Sequence, residues 1–385
     1  MTAPAGVSAD LLDRVRERLA QTATAPSPSV VAAAIRAEAG GLLGDTDLLQ
    51  VLKLLQTELS GAGPLEELLR EPDVTDVLVT GPDDVWVDRG RGLARAGVRF
   101  ADDAAVRRLA QRLALAAGRR LDDAQPWVDG RLPAVSGDSF GVRLHAVLAP
   151  IAQGGTCLSL RVLRPATQGL DALGLAPEPR ALLSAIIRQR LAFLVVGGTG
   201  AGKTTLLAAM LGAVDPCDRI VCVEDAAELA PRHPHVVRLV ARPANVEGAG
   251  GVSVRDLVRQ ALRMRPDRIV VGEVRGAEVV DLLTALNTGH DGGAGTVHAN
   301  STEEVPARLE ALAALGGMNR AALHSQLAAA VKVVLHVHRY PDGARALREI
   351  AVLERDSRGY VHAVPAWREG AAGAGHQQLL AMVGR

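Results

Sequence analysis

The sequence predicts an α/β protein of two domains, the second built on a mostly parallel sheet. Three observations carry that expectation. From about Ala176 onward, continuous apolar runs, "AFLVVGG", "RIVCVED", "RIVVGEV" and "GAGTVHAN", alternate with segments of helical period. Uninterrupted apolar strands separated by helices indicate a parallel sheet buried on both faces. Upstream, "TDVLVTG" and "DVWVDR" alternate at the strand period around a Gly-Pro-Asp turn, and "DAAVRRLAQRLALAAG" recurs at the helix period, which reads as an α+β domain. Finally, 385 residues that are 48% hydrophobic and 22% charged suffice for two buried cores.

In chain order, Leu11 to Leu19 reads as a short charged amphipathic helix and "TATAPSPS", Thr22 to Ser29, as a flexible linker. Helical patterns resume in "VVAAAIRAEAG" and "DLLQVLKLLQTEL". The expected organisation is a helical arm with linker over 1–47 and an α+β domain over 48–165, ending in the strands "GVRLHAVLAP" and "CLSLRVLR". A linker over 166–175 leads to the second domain, 176–385, which closes in a hairpin around Pro341-Asp342-Gly343.

Lys+Arg and Asp+Glu both number 43, so the whole chain offers no basic field for a phosphate backbone. Aromatics at 2% leave few rings for stacking bases, and no stable nucleic-acid partner is expected. Cys157, Cys217 and Cys222 form no C-x-x-C pair and suggest a reducing compartment. No apolar run approaches the ~20 residues of a membrane span, so the protein is expected in the cytoplasm with any membrane role peripheral.

"GGTGAGKTT", Gly197, Gly198, Thr199, Gly200, Ala201, Gly202, Lys203, Thr204 and Thr205, follows an apolar strand and opens a helical run, the context a phosphate loop requires. Glycines let backbone N–H groups and the helix N-terminus point at phosphates. Lys203 would reach the β and γ phosphates, and Thr204 would set its hydroxyl on magnesium. The expected ligand is a purine nucleotide.

In "RPDRIVVGEVRG" a strand ends in Gly272-Glu273, where most nucleotide-hydrolysing P-loop proteins place a metal-binding aspartate. Glu273, at a strand's carboxyl end, can bind magnesium through water or orient the attacking water. "RIVCVEDAAEL" delivers Glu224, Asp225 and Glu228 from another strand end, and Glu228 is the second candidate. "TGHDGGAGTVHANS" adds His290 and His298, read as γ-phosphate-sensing imidazoles rather than metal ligands.

Together these motifs resemble the secretion ATPases of type II and type IV systems, most closely the TadA/CpaF branch that assembles tight-adherence (Flp) pili. Four boxes in order carry the resemblance: the Walker A loop "GGTGAGKTT", an aspartate box "RIVCVEDAAEL", a Walker B "RPDRIVVGEVRGAEVVDLLTALNTGHDG" and a histidine box "GTVHANS". It extends upstream through "GPLEELLREPDVTDVLVTGPDDVWVDR" and "RLDDAQPWVDGRLP", covering roughly Leu48 to Leu335.

The resemblance implies an N-terminal α+β domain joined to a C-terminal RecA-like P-loop NTPase domain that hydrolyses ATP with Mg2+. It gives Glu273 the Walker B role, with Glu228 supporting metal and water activation, so that Thr204, Glu273 and Glu228 form the metal set. It implies a homo-hexamer in which arginines of the N-terminal domain, here Arg143 and Arg161, approach the phosphates. It also implies a polytopic inner-membrane platform protein as partner and a place at the inner face of the cell membrane. The chain departs from the family in three places. "AVSGDSFG", Ala134 to Gly141, is longer than the expected turn, Gly293 stands where the family often has serine, and the arm before Leu48 matches loosely. Two alternatives stand beside a pilus or secretion motor: a DNA translocase, as in conjugation, and a nucleotide-gated scaffold with little turnover.

Overall fold

The computed structural model describes residues 14–15, 18, 28–39, 61–132, 140–245 and 248–384. The helical pattern expected at 47–59, residues 22–27 of the expected linker and residues 134–139 of "AVSGDSFG" lie outside them. Pro28 and Ser29, read from sequence as linker, instead open helix α1 (Pro28–Ala39), where proline's fixed φ suits a first turn. The chain divides into two units between Leu163 and Arg164.

The first unit is an antiparallel sheet under helices. After α2 (Glu66–Arg70) come β1 (Asp76–Thr80), β2 (Val85–Asp88), β3 (Leu93–Arg95), α3 (Asp103–Ala116), β4 (Trp127–Leu132), β5 (Gly141–Val147) and β6 (Cys157–Leu163). The sheet order is β3-β2-β1-β6-β5-β4. Alternation decides its faces: Val77, Val79, Leu144, Leu158 and Leu160 turn into a core shared with Val106, Leu109 and Leu113 of α3. Asp102 caps α3 by accepting from the Ala105 N–H at 2.7 Å.

The second unit runs α4 (Pro177–Arg188), β7 (Phe193–Val196), α5 (Lys203–Leu211), β8 (Ile220–Glu224), β9 (Val236–Val240), α6 (Val254–Ala261), β10 (Arg268–Val274), α7 (Glu278–Leu286) and β11 (Ala294–Val297). It continues with α8 (Val305–Leu315), α9 (Arg320–Ala330), β12 (Val333–Arg339), β13 (Arg345–Arg355), β14 (Val361–Arg368), β15 (Ala371–Ala372) and α10 (His376–Met382). The nine strands lie in the order β15-β14-β13-β12-β7-β11-β10-β8-β9. Pairing is parallel from β12 through β9 and antiparallel from β12 through β15.

Both faces of β7 are buried, Phe193 and Val195 in one core and Leu194 and Val196 in the other, as its unbroken apolar run predicts. The expected hairpin forms, with Asp342 Oδ1 accepting from the Ala344 N–H at 2.9 Å. Strand β9 was not foreseen, because it is a half-exposed edge with Arg238 inside it rather than a continuous apolar run. Gly293 has a steric reason: a Cβ there would lie 2.4 Å from Leu286 Cδ2 and 2.6 Å from the Ile269 carbonyl oxygen, so serine does not fit without a shift. Among the described residues no helix is long and apolar enough to cross a membrane.

Candidate nucleotide site

Parallel strands end at one edge of a sheet, so β7, β8, β10 and β11 bring their following residues to a common rim. The loop 197–202 leaves β7 there and enters α5. Gly197 presses so closely on β12 that a Cβ would lie 2.3 Å from the Val337 carbonyl oxygen. Gly202 takes φ +96°, left-handed backbone that favours glycine, immediately before the first turn of α5. That turn holds Lys203, Thr204 and Thr205, with α5's amide dipoles directed at the loop. Lys203 is buried, and its Nζ donates to the carbonyls of Gly197 (3.0 Å) and Gly198 (2.9 Å). Burial pulls its pKa down, and the charge of Glu273 opposes that pull.

Glu273 sits on an irregularity in β10. The register to β11 shifts between Val271 and Val274, so the strand bulges at Gly272-Glu273 and re-aims its side chain. Thr296 Oγ1, buried in β11, donates to the Gly272 carbonyl at 2.7 Å. Arg275 Nη2 donates to Glu273 Oε2 at 2.5 Å, and its Nη1 to Asp225 Oδ2 at 3.0 Å. His298, just past β11, places Nε2 2.7 Å from Glu273 Oε1, yet that buried oxygen receives no well-aligned hydrogen bond. Burial opposes ionisation of Glu273, but Arg275, His298 and Lys203 outweigh it and hold the carboxyl below its ordinary range. Burial and the charge of Lys203 hold His298 below its ordinary value against the pull of Glu273 and so favour the neutral imidazole.

The aspartate box supplies the third side. Thr204 Oγ1 donates to Glu228 Oε2 at 3.3 Å. Glu224, at the end of β8, points inward instead: its Oε1 accepts from the N–H groups of Glu228 (2.9 Å) and Leu229 (2.8 Å). Its Oε2 is buried without a hydrogen bond, 3.9 Å from Arg238 Nε. Burial pushes this carboxyl up to about 7 against those two backbone donors.

Lys203, Thr204, Glu228, Glu273 and His298 thus share one rim. His290 does not join them and is a correction to the sequence reading: it precedes the amino end of β11, across the sheet from that rim, and its Nδ1 lies 3.1 Å from the Ala285 carbonyl at the end of α7. Arg143 and Arg161 belong to the first unit, where they are direct cross-strand partners on β5 and β6. Arg143 pairs with Asp129 (Nη2 to Oδ2, 2.7 Å) and Arg161 with Asp76 (Nε to Oδ1, 2.8 Å). Sequence reasoning missed Arg275, although its place two residues after Glu273 was a usable signal, and gave Glu224 no role of its own.

Among the described residues no three His, Cys, Asp or Glu side chains converge as a metal cage. The nearby donors are oxygens, Thr204 Oγ1, Glu228 Oε2 and the Glu273 carboxylate, the last with an orphaned Oε1. A sparse oxygen set fits magnesium, which keeps several waters and takes substrate phosphates as further ligands.

The family model described as "Type II/IV secretion system protein" matches residues 58–372. A Mycobacterium tuberculosis protein bearing a conjugal-transfer name is 72% identical over 330 residues, 85% of this chain and 94% of that protein. The type IV secretion system protein PtlH of Bordetella pertussis is 32% identical over 275 residues, 64% of this chain and 78% of its own length. Among solved structures, the ATPase DotB of Legionella pneumophila aligns with TM-score 0.51 and 19% identity, covering 81% of this chain and 79% of that one. That likeness carries the fold alone: an N-terminal domain followed by a RecA-like domain.

Proposed function

The chain belongs to the type II/IV secretion system protein family, and on that premise we propose that it is a ring-forming ATPase, a homo-hexamer of the TadA/CpaF kind. ATP hydrolysis drives motion that is passed to a polytopic inner-membrane platform protein, from the cytoplasmic face. One observation carries the reading: the phosphate-loop lysine and hydroxyl share a sheet rim with two carboxylates from different strands.

Water attacks the γ-phosphorus of bound ATP, the bond from that phosphorus to the β,γ-bridging oxygen breaks, and ADP and inorganic phosphate leave. Glu273, held ionised by Arg275, orients that water, and Glu228 supports it from the Thr204 side. Lys203 balances phosphate charge beside the amides of the loop, and neutral His298 reports the γ-phosphate to Glu273. Magnesium, when bound, neutralises charge on the β and γ phosphates. In the proposed ring, Arg143 and Arg161 supply guanidinium charge to the transferring phosphoryl group.

The test is Glu273→Gln. It should abolish steady-state hydrolysis while giving a hexameric native mass with ATP and magnesium. Hydrolysis near the wild-type rate removes the assignment, and a monomer or dimer under every condition removes the ring. The conjugal-transfer name of the 72% identical relative supports a second reading, a DNA translocase. ATPase stimulation by single-stranded DNA, falling steeply with salt, would select it.

A further inference from the structure

Sheet order gives the phosphate loop two flanks. On one side of β7 lie β11, β10 and β8, which deliver His298, Glu273 and Glu228; on the other lies β12, leading into the hairpin with β13. For a nucleotide whose γ-phosphate faces the carboxylates, the hairpin lies on the opposite flank of the loop. Two arginines wait there. Arg339 and Arg345 are direct cross-strand partners at the neck of the hairpin, so their side chains leave the same face. Arg345 Nε donates to the Gly200 carbonyl at 2.9 Å, and among the described residues its terminal nitrogens make no other hydrogen bond or ion pair. Arg339 Nη1 lies 3.2 Å from where a Gly200 Cβ would be, and Arg345 Cδ 3.4 Å from a Cβ on Gly202.

We infer that Arg339 and Arg345 bind the nucleoside end of ATP, their guanidinium groups meeting the α-phosphate and the face of the base. They are specificity-determining residues that distinguish a nucleotide from a bare polyphosphate. Guanidinium suits both tasks, because its planar fork bonds phosphate oxygens and stacks on aromatic rings. The inference rests on the proposed ATPase reading.

The experiment compares calorimetric affinities for ATP and for inorganic tripolyphosphate, each with magnesium, in the wild-type chain, in Arg339→Ala and in the Arg339→Ala/Arg345→Ala double variant. The expected result is a loss of ATP affinity of at least about tenfold in the double variant, a smaller loss in Arg339→Ala, and in both a smaller loss for tripolyphosphate, whose third phosphate takes the α position but which carries no base. Unchanged ATP affinity overturns the inference. Equal loss for both ligands also overturns it, since the arginines then only brace the loop through Gly200. A wild-type chain that binds tripolyphosphate but not ATP refutes the ATPase reading itself, an outcome separable from these.

Discussion

Gly272 and Glu224 occupy one space between them: a Cβ on Gly272 would lie 2.7 Å from Glu224 Cγ and 3.3 Å from its Oε1. Strand β10 has no side chain before Glu273 because the carboxyl of the neighbouring β8 folds across it. That carboxyl then holds the N–H groups of Glu228 and Leu229. Where many P-loop proteins carry an aspartate, this one carries the room for a glutamate from the next strand.

Gly272→Ala should therefore displace Glu224 and loosen the backbone that presents Glu228. Overpacking a well-filled interior costs roughly 1–3 kcal/mol. Thermal unfolding should show that loss, and the ATPase rate should fall while ATP affinity holds. Unchanged stability together with an unchanged rate would refute the steric reading.

Lys203→Ala removes the ammonium that the loop carbonyls now hold in place. ATP affinity should drop about 100-fold in calorimetry, with the circular-dichroism melt nearly unchanged. Retained affinity would mean that the loop is not a phosphate site.

Arg275→Ala leaves Glu273 with its burial and without its strongest charge partner. Its carboxyl is depressed in the intact protein, so removing Arg275 raises the pKa. The ionised form then persists over a narrower range. The acid limb of the pH–rate profile should move to higher pH, and an acid limb that stays put would show that Glu273 ionisation does not govern turnover.

Stability should also depend on pH through Glu224. Its carboxyl rises from 4.5 to about 7 on folding, so between those values the folded chain binds more protons than the unfolded one. The stabilisation from this group is complete below 4.5 and is lost as pH rises through about 7. The loss should be about 3 kcal/mol. Melting temperatures at pH 5 and pH 8, without nucleotide or magnesium, should differ less in Glu224→Gln than in the wild type. Equal differences would place the pH dependence elsewhere.

Much of the second unit was legible because its signals are local. The apolar runs that become β7, β8, β10 and β11 are continuous, since each strand is covered on both faces. The glycine spacing of 197–202 is legible for the same reason: the turn is built from adjacent residues. Edge strand β9 was missed, since an edge half open to water mixes Arg238 with valines. His290 and His298 looked alike in a glycine-rich stretch, and only the direction of β11 sends one to the rim and the other across the sheet.

The chain's local patterns determine the α/β class, the glycine-rich loop at 197–202 and the strand ends that bear Glu228, Glu273 and His298. Periodicity and short spacing depend on neighbours in sequence, so they can be read without the fold. The tertiary structure decides what long-range packing creates. The bulge that turns Glu273 exists only through pairing with β11. Arg275 reaches Asp225 across adjoining strand ends 50 residues apart. Arg345 reaches Gly200 across 145 residues of chain, a contact that no local pattern encodes because it depends on β12 lying beside β7.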